Sequence, residues 1–143
     1  MSVIAFDGKR IAADKQSTCA GLPVVTRKIL KTEKAILAWT GDQEQGLALA
    51  EWFLNGKNKN DWPKFQSGEN WTRLIVVENG IVGFYEKEPY MQTVDDKFTA
   101  WGSGRDYAIA TMSLGFDAFK AVEVASQFDV YCGLGVDIYE IGV

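Results

Sequence analysis

Ser2-Val3-Ile4-Ala5-Phe6-Asp7-Gly8-Lys9-Arg10-Ile11-Ala12-Ala13-Asp14 is the stretch around which the chain is organised. Two short apolar runs flank Asp7-Gly8, a strong two-residue hairpin signal, because glycine tolerates positive φ and aspartate comes next best. The reading is a strand over Ser2–Phe6 and a return strand over Ile11–Asp14. The return brings Asp14 and Lys15 back towards the level of the chain start. Ser2 then stands at the head of a strand. If Met1 is removed, one residue carries both a hydroxyl and a free α-amine, a nucleophile beside its own base. The plainer reading is that a small residue after Met1 simply favours methionine removal at the start of an edge strand.

Working outward, Ser17 to Gly21 is small and polar and reads as a loop ended by Pro23. Val24-Val25-Thr26 and Lys28-Ile29-Leu30 read as short strands, and Ala35–Thr40 as an apolar strand buried on both faces. Gly41-Asp42 breaks that strand and opens a helix with a capping box, Asp42-x-x-Gln45. Its expected apolar face is Leu47, Ala50 and Leu54 with Leu49 and Phe53 beside them, and Asn55-Gly56 stops it. Residues 55–70 are polar and irregular, a surface excursion. Trp71–Val77 and Ile81–Glu86 form a hairpin across Glu78-Asn79-Gly80. Lys87–Lys97 is a charged loop, and Phe98–Trp101 a strand running into Gly102-Ser103-Gly104. Helices follow over about Arg105–Leu114 and Ala118–Gln127, the second capped by Asp117, then a small-residue turn over Asp129–Gly135 and a last strand, Val136–Ile141. Strands joined mainly by hairpins, with helices in separate places, predict an α+β fold with mostly antiparallel sheets and helices packed outside them, in one domain over 1–143.

The 143 residues fit one domain with one core, and the composition is ordinary for a globular protein, 47% apolar and 24% charged. A net charge of −4, with no basic stripe, argues against nucleic acid as a partner. No run reaches the apolar length of a membrane span, and charges at Asp7, Lys9 and Arg10 speak against a signal peptide. Cys19 and Cys132 lack CxxC spacing and read as free thiols in a reducing, cytoplasmic compartment, with a disulfide as the other option. The chain has no histidine. That removes Ser-His-Asp and Cys-His catalysis and nearly all zinc chemistry; no cofactor is expected. A base working near neutral pH must then be a carboxylate, a depressed lysine or the α-amine.

Two further positions carry open readings. Lys28 either snorkels to solvent or is held inside, where its charge lowers the pKa of a neighbouring amine. Gly41 is either a plain turn glycine or a backbone N–H aimed into a cleft as an oxyanion donor. Gly102-Ser103-Gly104 ahead of a helix suits a phosphate cradle, but it lacks the P-loop lysine and the spaced glycines of the dinucleotide fingerprint.

Taken together, Ser2, Asp14, Lys28, Gly41, Ser103, Asp129 and Cys132 make the sequence resemble the proteasome β-subunit and HslV family of N-terminal-nucleophile hydrolases, and most nearly its short phage and prophage versions. The resemblance covers nearly the whole chain. Ser2-Val3-Ile4-Ala5-Phe6 is similar to the family's opening strand, with Ser2 in place of the mature N-terminal threonine. Ile11-Ala12-Ala13-Asp14 is similar to its second strand, with the aspartate that contacts the active-site lysine. Arg27-Lys28-Ile29 resembles Lys-Lys-Ile/Val, which makes Lys28 that lysine. Trp39-Thr40-Gly41-Asp42 resembles the Ala-Gly-Gly corner with its oxyanion donor. Gly102-Ser103-Gly104 matches Gly-Ser-Gly, and Asp129-Val130-Tyr131-Cys132-Gly133 matches Asp-x-Tyr-Ser-Gly with cysteine for serine.

The resemblance implies an αββα four-layer sandwich, a homo-oligomeric ring, peptide or unfolded-protein substrates, and an ATP-dependent unfoldase as partner. It also implies hydrolysis of peptide bonds through an acyl-enzyme on Ser2 after loss of Met1. The α-amine would act as general base, Lys28 paired with Asp14 would keep it neutral, Gly41 would hold the oxyanion, and Ser103 and Asp129 would orient the amine. Departures from the family are serine for threonine at position 2, Cys132 for serine, and one helix instead of two between Gly41 and Trp71. Two other functions fit these residues: a non-catalytic ring or interaction protein on the same fold, and a small-molecule amidase with the same chemistry. Trp62 and Trp71 read as core or subunit-contact residues.

Overall fold

The computed structural model describes residues 2–65 and 72–141, and its first hairpin is built by Asp7. The Asp7 Oδ1 accepts the backbone N–H groups of Lys9 (2.8 Å) and Arg10 (2.7 Å), while Gly8 takes a φ of +93°. That turn joins β1 (Ile4–Phe6) to β2 (Arg10–Asp14), with Ile4 opposite Ala13 and Phe6 opposite Ile11. Strands β10 (Thr99–Trp101) and β11 (Val136–Glu140) flank the pair, giving an antiparallel sheet in the order β10-β1-β2-β11. A second antiparallel sheet runs in the order of the chain: β5 (Ile29–Lys31), β6 (Ile36–Thr40), β7 (Arg73–Glu78), β8 (Ile81–Tyr85) and β9 (Gln92–Thr93). The helices are α1 (Gln43–Leu54), α2 (Arg105–Ser113) and α3 (Ala118–Phe128).

Alternation along the strands sorts side chains into layers. Ile4, Phe6, Ile11 and Ala13 point to the second sheet, where Ile29, Ile36, Ala38, Ile75 and Val77 meet them. Val3, Ala5 and Ala12 point the other way, onto Ala108, Met112, Ala118, Ala121, Val122 and Ala125 of α2 and α3. The small side chains on both sides let these helices lie close to the sheet. The far face of the second sheet, Leu37, Trp39, Leu74 and Val76, receives Leu49, Ala50, Trp52 and Phe53 of α1. The result is the expected α+β architecture, an αββα sandwich. It explains why antiparallel strands here read as continuous apolar runs: each sheet is covered on both faces.

Several local expectations are corrected. Ser17–Gly21 is not a loop. Gln16–Cys19 forms β3 and Leu22–Val25 forms β4, an antiparallel ribbon turned by Ala20 and Gly21 at φ 49° and 81°. Its strands are largely solvent-exposed, so no apolar alternation advertises them. Leu47 and Leu54 do not belong to the buried face of α1; they are 48% and 46% exposed, and Gly46 and Trp52 take that face with Leu49, Ala50 and Phe53. The charged Lys87–Lys97 loop contributes β9. The opening strand begins two residues later than expected, at Ile4. Trp71 lies outside the described residues. Trp62 stands edge-on to Trp52 at 4.7 Å, covering the α1 layer.

Candidate active site

Asp14 ends β2 with no exposed surface, so its two oxygens must find donors inside the protein. They find four. Oδ1 accepts the Val3 N–H (3.1 Å) and the Lys28 ammonium (2.8 Å); Oδ2 accepts the N–H groups of Gln16 (3.2 Å) and Gly133 (3.1 Å). One carboxylate thereby ties together β1, β2, the start of β3, the segment entering β5 and the loop before β11. Lys28 is 4% exposed. Of its two open readings, the structure has the inside one. Because the ammonium and the Val3 amide share one oxygen, the buried cation lies a single carboxylate from the peptide link that joins Ser2 to Val3.

Ser2 is 1% exposed. Its carbonyl oxygen accepts the Gly104 N–H at 3.1 Å, and the backbone of Gly102 comes so close that a Cβ there would overlap this oxygen. Among the described residues the Ser2 Oγ has no hydrogen-bond partner, an uncommon state for a buried hydroxyl and one that leaves both lone pairs free. Ser103 sits between the two glycines, its Oγ 4.0 Å from the Cys132 Sγ. Burial pushes the Cys132 thiol up to about 12, with the Asp14 and Asp129 carboxylates adding to the effect. Near neutral pH Cys132 is therefore a protonated packing and hydrogen-bonding group, not a thiolate nucleophile. Burial works to raise the Asp129 carboxyl too. Contacts with the Ser103 hydroxyl, the Tyr131 N–H and the Cys132 thiol outweigh it, and the net shift is below the ordinary value. Asp129 is the C-cap of α3 and its Oδ1 accepts the Tyr131 N–H at 2.9 Å.

Gly41 is reached from the other sheet. It stands between β6 and α1 with φ +96°, and a Cβ would lie 2.8 Å from the Thr72 Oγ1, so both conformation and space call for glycine. Thr72 fixes the corner: its Oγ1 accepts the Asp42 N–H (3.2 Å) and donates to the Gln45 Oε1 (2.7 Å). Asp42 caps α1 by accepting the Gln45 N–H at 3.0 Å. The expected reciprocal half of the capping box is absent from the described contacts, because the Gln45 side chain is engaged by Thr72. Lys28 and Gly41 line one cleft of about 800 Å³, walled by Gln16–Cys19 of the β3 ribbon, by Asp42–Gln45, by Trp62–Phe65 and by Glu86–Glu88. Ser2 does not line it.

The structure thus gathers Ser2, Asp14, Lys28, Ser103, Asp129 and Cys132 around the ends of β1 and β2, and sets Gly41 in a cleft it shares with Lys28. Gln16, Thr72 and Gly133 are the partners that sequence reasoning missed. A threonine far along the chain carries no local sign that it will buttress a glycine corner. Gln16 does more than donate its N–H: its Nε2 donates to the Val130 carbonyl at 2.9 Å, holding the Asp129–Gly133 loop against the ribbon. No group of described acidic, histidine or cysteine residues is arranged to hold a metal ion, and no helix among the described residues is long and apolar enough to cross a membrane.

No protein-family model and no curated protein matches the sequence. Solved structures do match. Thiobacillus denitrificans BPH in complex with epoxomicin superposes with a TM-score of 0.74 at 19% identity, over 100% of both chains. Thiobacillus denitrificans BPH gives a TM-score of 0.72 at 21% identity over 99% of this chain and 98% of that one. Eukaryotic HslV from Trypanosoma brucei gives 0.73 at 19% identity over 97% of each. Full-length superposition at such low identity is a statement about architecture, and the chain has the αββα fold of the proteasome-like and HslV-like N-terminal-nucleophile hydrolases.

Proposed function

We propose that the chain is a serine-type N-terminal-nucleophile peptidase of a proteasome-like ring, activated by removal of Met1. The observation that carries the reading is the Asp14 carboxylate, whose Oδ1 holds the buried Lys28 ammonium and the Val3 amide together beside a Ser2 hydroxyl that has no hydrogen-bond partner among the described residues. With Met1 gone, the Ser2 amine takes the Oγ proton as Oγ attacks the peptide carbonyl carbon. The nearby Lys28 cation disfavours a second positive charge and keeps that amine neutral and basic. The Gly41 N–H donates to the tetrahedral oxyanion, a contact worth about 3–4 kcal/mol in comparable sites. The C–N bond then breaks, the amine's proton passes to the leaving nitrogen, and an ester remains on Ser2. Water attacks this ester, giving its proton to the amine; the ester C–O bond then breaks, the carboxylic acid leaves, and the amine returns the proton to Oγ. Ser103 and Asp129 orient the amine, and Cys132 packs behind them.

The cleft of about 800 Å³ lined by Lys28 and Gly41 suits several residues of an extended peptide better than one small amide, and the reading requires the mature chain start at Ser2, which does not line that cleft here, to reach it. The exposed apolar side chains of Leu114, Phe116, Phe119, Phe128 and Val130 on and around α2 and α3 suit contact with further copies in a ring. An ATP-dependent unfoldase that feeds such a ring, a cytoplasmic site suited to free Cys19 and Cys132, and a phage-type origin complete the proposal.

Intact mass after native expression is the test. The protein should lack Met1 and gain one equivalent of an electrophilic β-lactone at Ser2, and Ser2→Ala should lose both labelling and peptide hydrolysis. Retention of Met1, or unchanged hydrolysis by Ser2→Ala, refutes the reading.

A further inference from the structure

We infer that Gln43 is a positioning residue that locks the Lys28 backbone to the Gly41 corner. The inference rests on the proposed peptidase reading and adds a residue to it. Gln43 is the first residue of α1, two positions after Gly41. Its side chain bridges two groups of opposite hydrogen-bonding character. The Oε1 accepts the Trp39 indole N–H at 3.0 Å, and the Nε2 donates to the Arg27 carbonyl at 2.9 Å. An indole N–H can only donate and a peptide carbonyl can only accept. The bridge therefore needs a side chain with one acceptor and one donor on a single planar head, which is an amide. Glutamate would set a charged oxygen against the Arg27 carbonyl; methionine, of similar length, would satisfy neither end.

Trp39 completes the lock. Its backbone N–H donates to the Lys28 carbonyl at 3.0 Å, so one tryptophan holds the carbonyl of Lys28 directly and that of Arg27 through Gln43. The indole can lie against α1 because position 46, one helical turn after Gln43, is glycine; a Cβ there would run into the Trp39 ring. Lys28 stands at the entry to β5 and Gly41 at the exit from β6. Strand pairing links the lysine that holds the amine neutral to the N–H that receives the oxyanion, and the Gln43 bridge adds a side-chain link between them. With it, the two are set relative to one another by side chains, and displacements well under 1 Å matter at such sites.

The test compares mature wild-type protein, beginning at Ser2, with Gln43→Met and Gln43→Glu. Two readouts are taken: hydrogen exchange of the Trp39 indole N–H, and kcat and KM for a fluorogenic peptide as a function of pH. Exchange of the indole should quicken at least 10-fold in Gln43→Met with little change in Tm. The same variant should lose about 10-fold in kcat, with KM within 2-fold and the acidic limb of the kcat profile displaced. In Gln43→Glu the indole should remain protected while kcat still falls, because only the Arg27 end is broken. Unchanged exchange in Gln43→Met overturns the bridge. Unchanged kcat, or a rise confined to KM, overturns the positioning role and makes Gln43 a wall of the substrate cleft. Absence of hydrolysis by the wild type, with the exchange result as expected, refutes the peptidase reading while the bridge stands.

Discussion

The Lys28 ammonium lies 2.8 Å from the Asp14 carboxylate, with the two side chains 5% and 0% exposed. A pair so placed is held by geometry, since desolvating both charges consumes most of their attraction. Three backbone N–H groups share the Asp14 oxygens with Lys28, and this makes the two partners unequal. Asp14→Asn leaves a buried cation alone and turns an NH₂ group towards N–H donors. Lys28→Met leaves a carboxylate that keeps three hydrogen bonds. Asp14→Asn should cost about 3–5 kcal/mol, and Lys28→Met about 1–3 kcal/mol. Urea unfolding measures both; equal costs would show that the backbone donors do not sustain Asp14.

Cys132 and Cys19 are both free, one buried and one exposed. With the Cys132 thiol at about 12, only on the order of one molecule in 10⁴ carries its thiolate at pH 8. A disulfide reagent at pH 8 should therefore modify Cys19 alone in the native protein and both thiols in guanidinium chloride. Rapid native modification of both would mean that the loop from Asp129 to Gly133 opens far more readily than its ties to Asp14 and Gln16 allow.

What could be foreseen and what could not follows the range of the interactions. The first hairpin was legible because Asp7-Gly8 encodes its own turn, and the antiparallel α+β class because hairpins join most of the strands, whereas the four layers of the sandwich were implied only by the family resemblance. Asp14, Lys28, Ser103, Asp129 and Cys132 were legible as a set only through a resemblance of ordered short motifs, since nothing local says that an aspartate on one strand meets a lysine on another. The β3–β4 ribbon carries no sequence sign because a half-exposed strand such as Gln16–Cys19 needs no apolar rhythm. The buried face of α1 departs from simple helical periodicity for a different reason. Gly46 faces inward because the Trp39 ring occupies the space a side chain would take, and that choice is made by tertiary packing, not by helical periodicity. Gln43 and Thr72 share that blindness: each acts on a partner from another element.

Asp129 gives the site a pH signature. Burial opposes ionisation of this carboxyl, but Ser103, the Tyr131 N–H and Cys132 favour it by more, so its folded pKa lies below the ordinary 3.8. A depressed carboxylate stabilises the fold at pH values above its unfolded pKa. That contribution disappears as pH falls through the folded value, where both states are protonated. The stability difference between wild type and Asp129→Asn should be constant from neutral pH to about pH 5 and should shrink steadily below about pH 4. Urea unfolding at a series of pH values reads it. A difference that grows on acidification would mean that the carboxyl is raised, not lowered.

Gly102 tests how tightly the chain start is held. It has φ +100° and its backbone approaches the Ser2 carbonyl, which in turn accepts the Gly104 N–H at 3.1 Å. Alanine at position 102 faces two separate penalties. The left-handed backbone costs roughly 1–2 kcal/mol for any residue with a Cβ. The Cβ must also displace the Ser2 carbonyl, stretching or breaking its bond to Gly104, for about 1–3 kcal/mol more. Gly115 separates the two effects, because it has nearly the same φ, +96°, with open space for 4 Å around the point where a Cβ would stand. Gly115→Ala should therefore show the backbone penalty alone, and Gly102→Ala should exceed it by the cost of moving Ser2. Equal losses in urea unfolding would show that the Ser2 carbonyl yields freely. In that case the amino terminus is positioned by the Asp14–Val3 hydrogen bond and not by the Gly102–Gly104 turn.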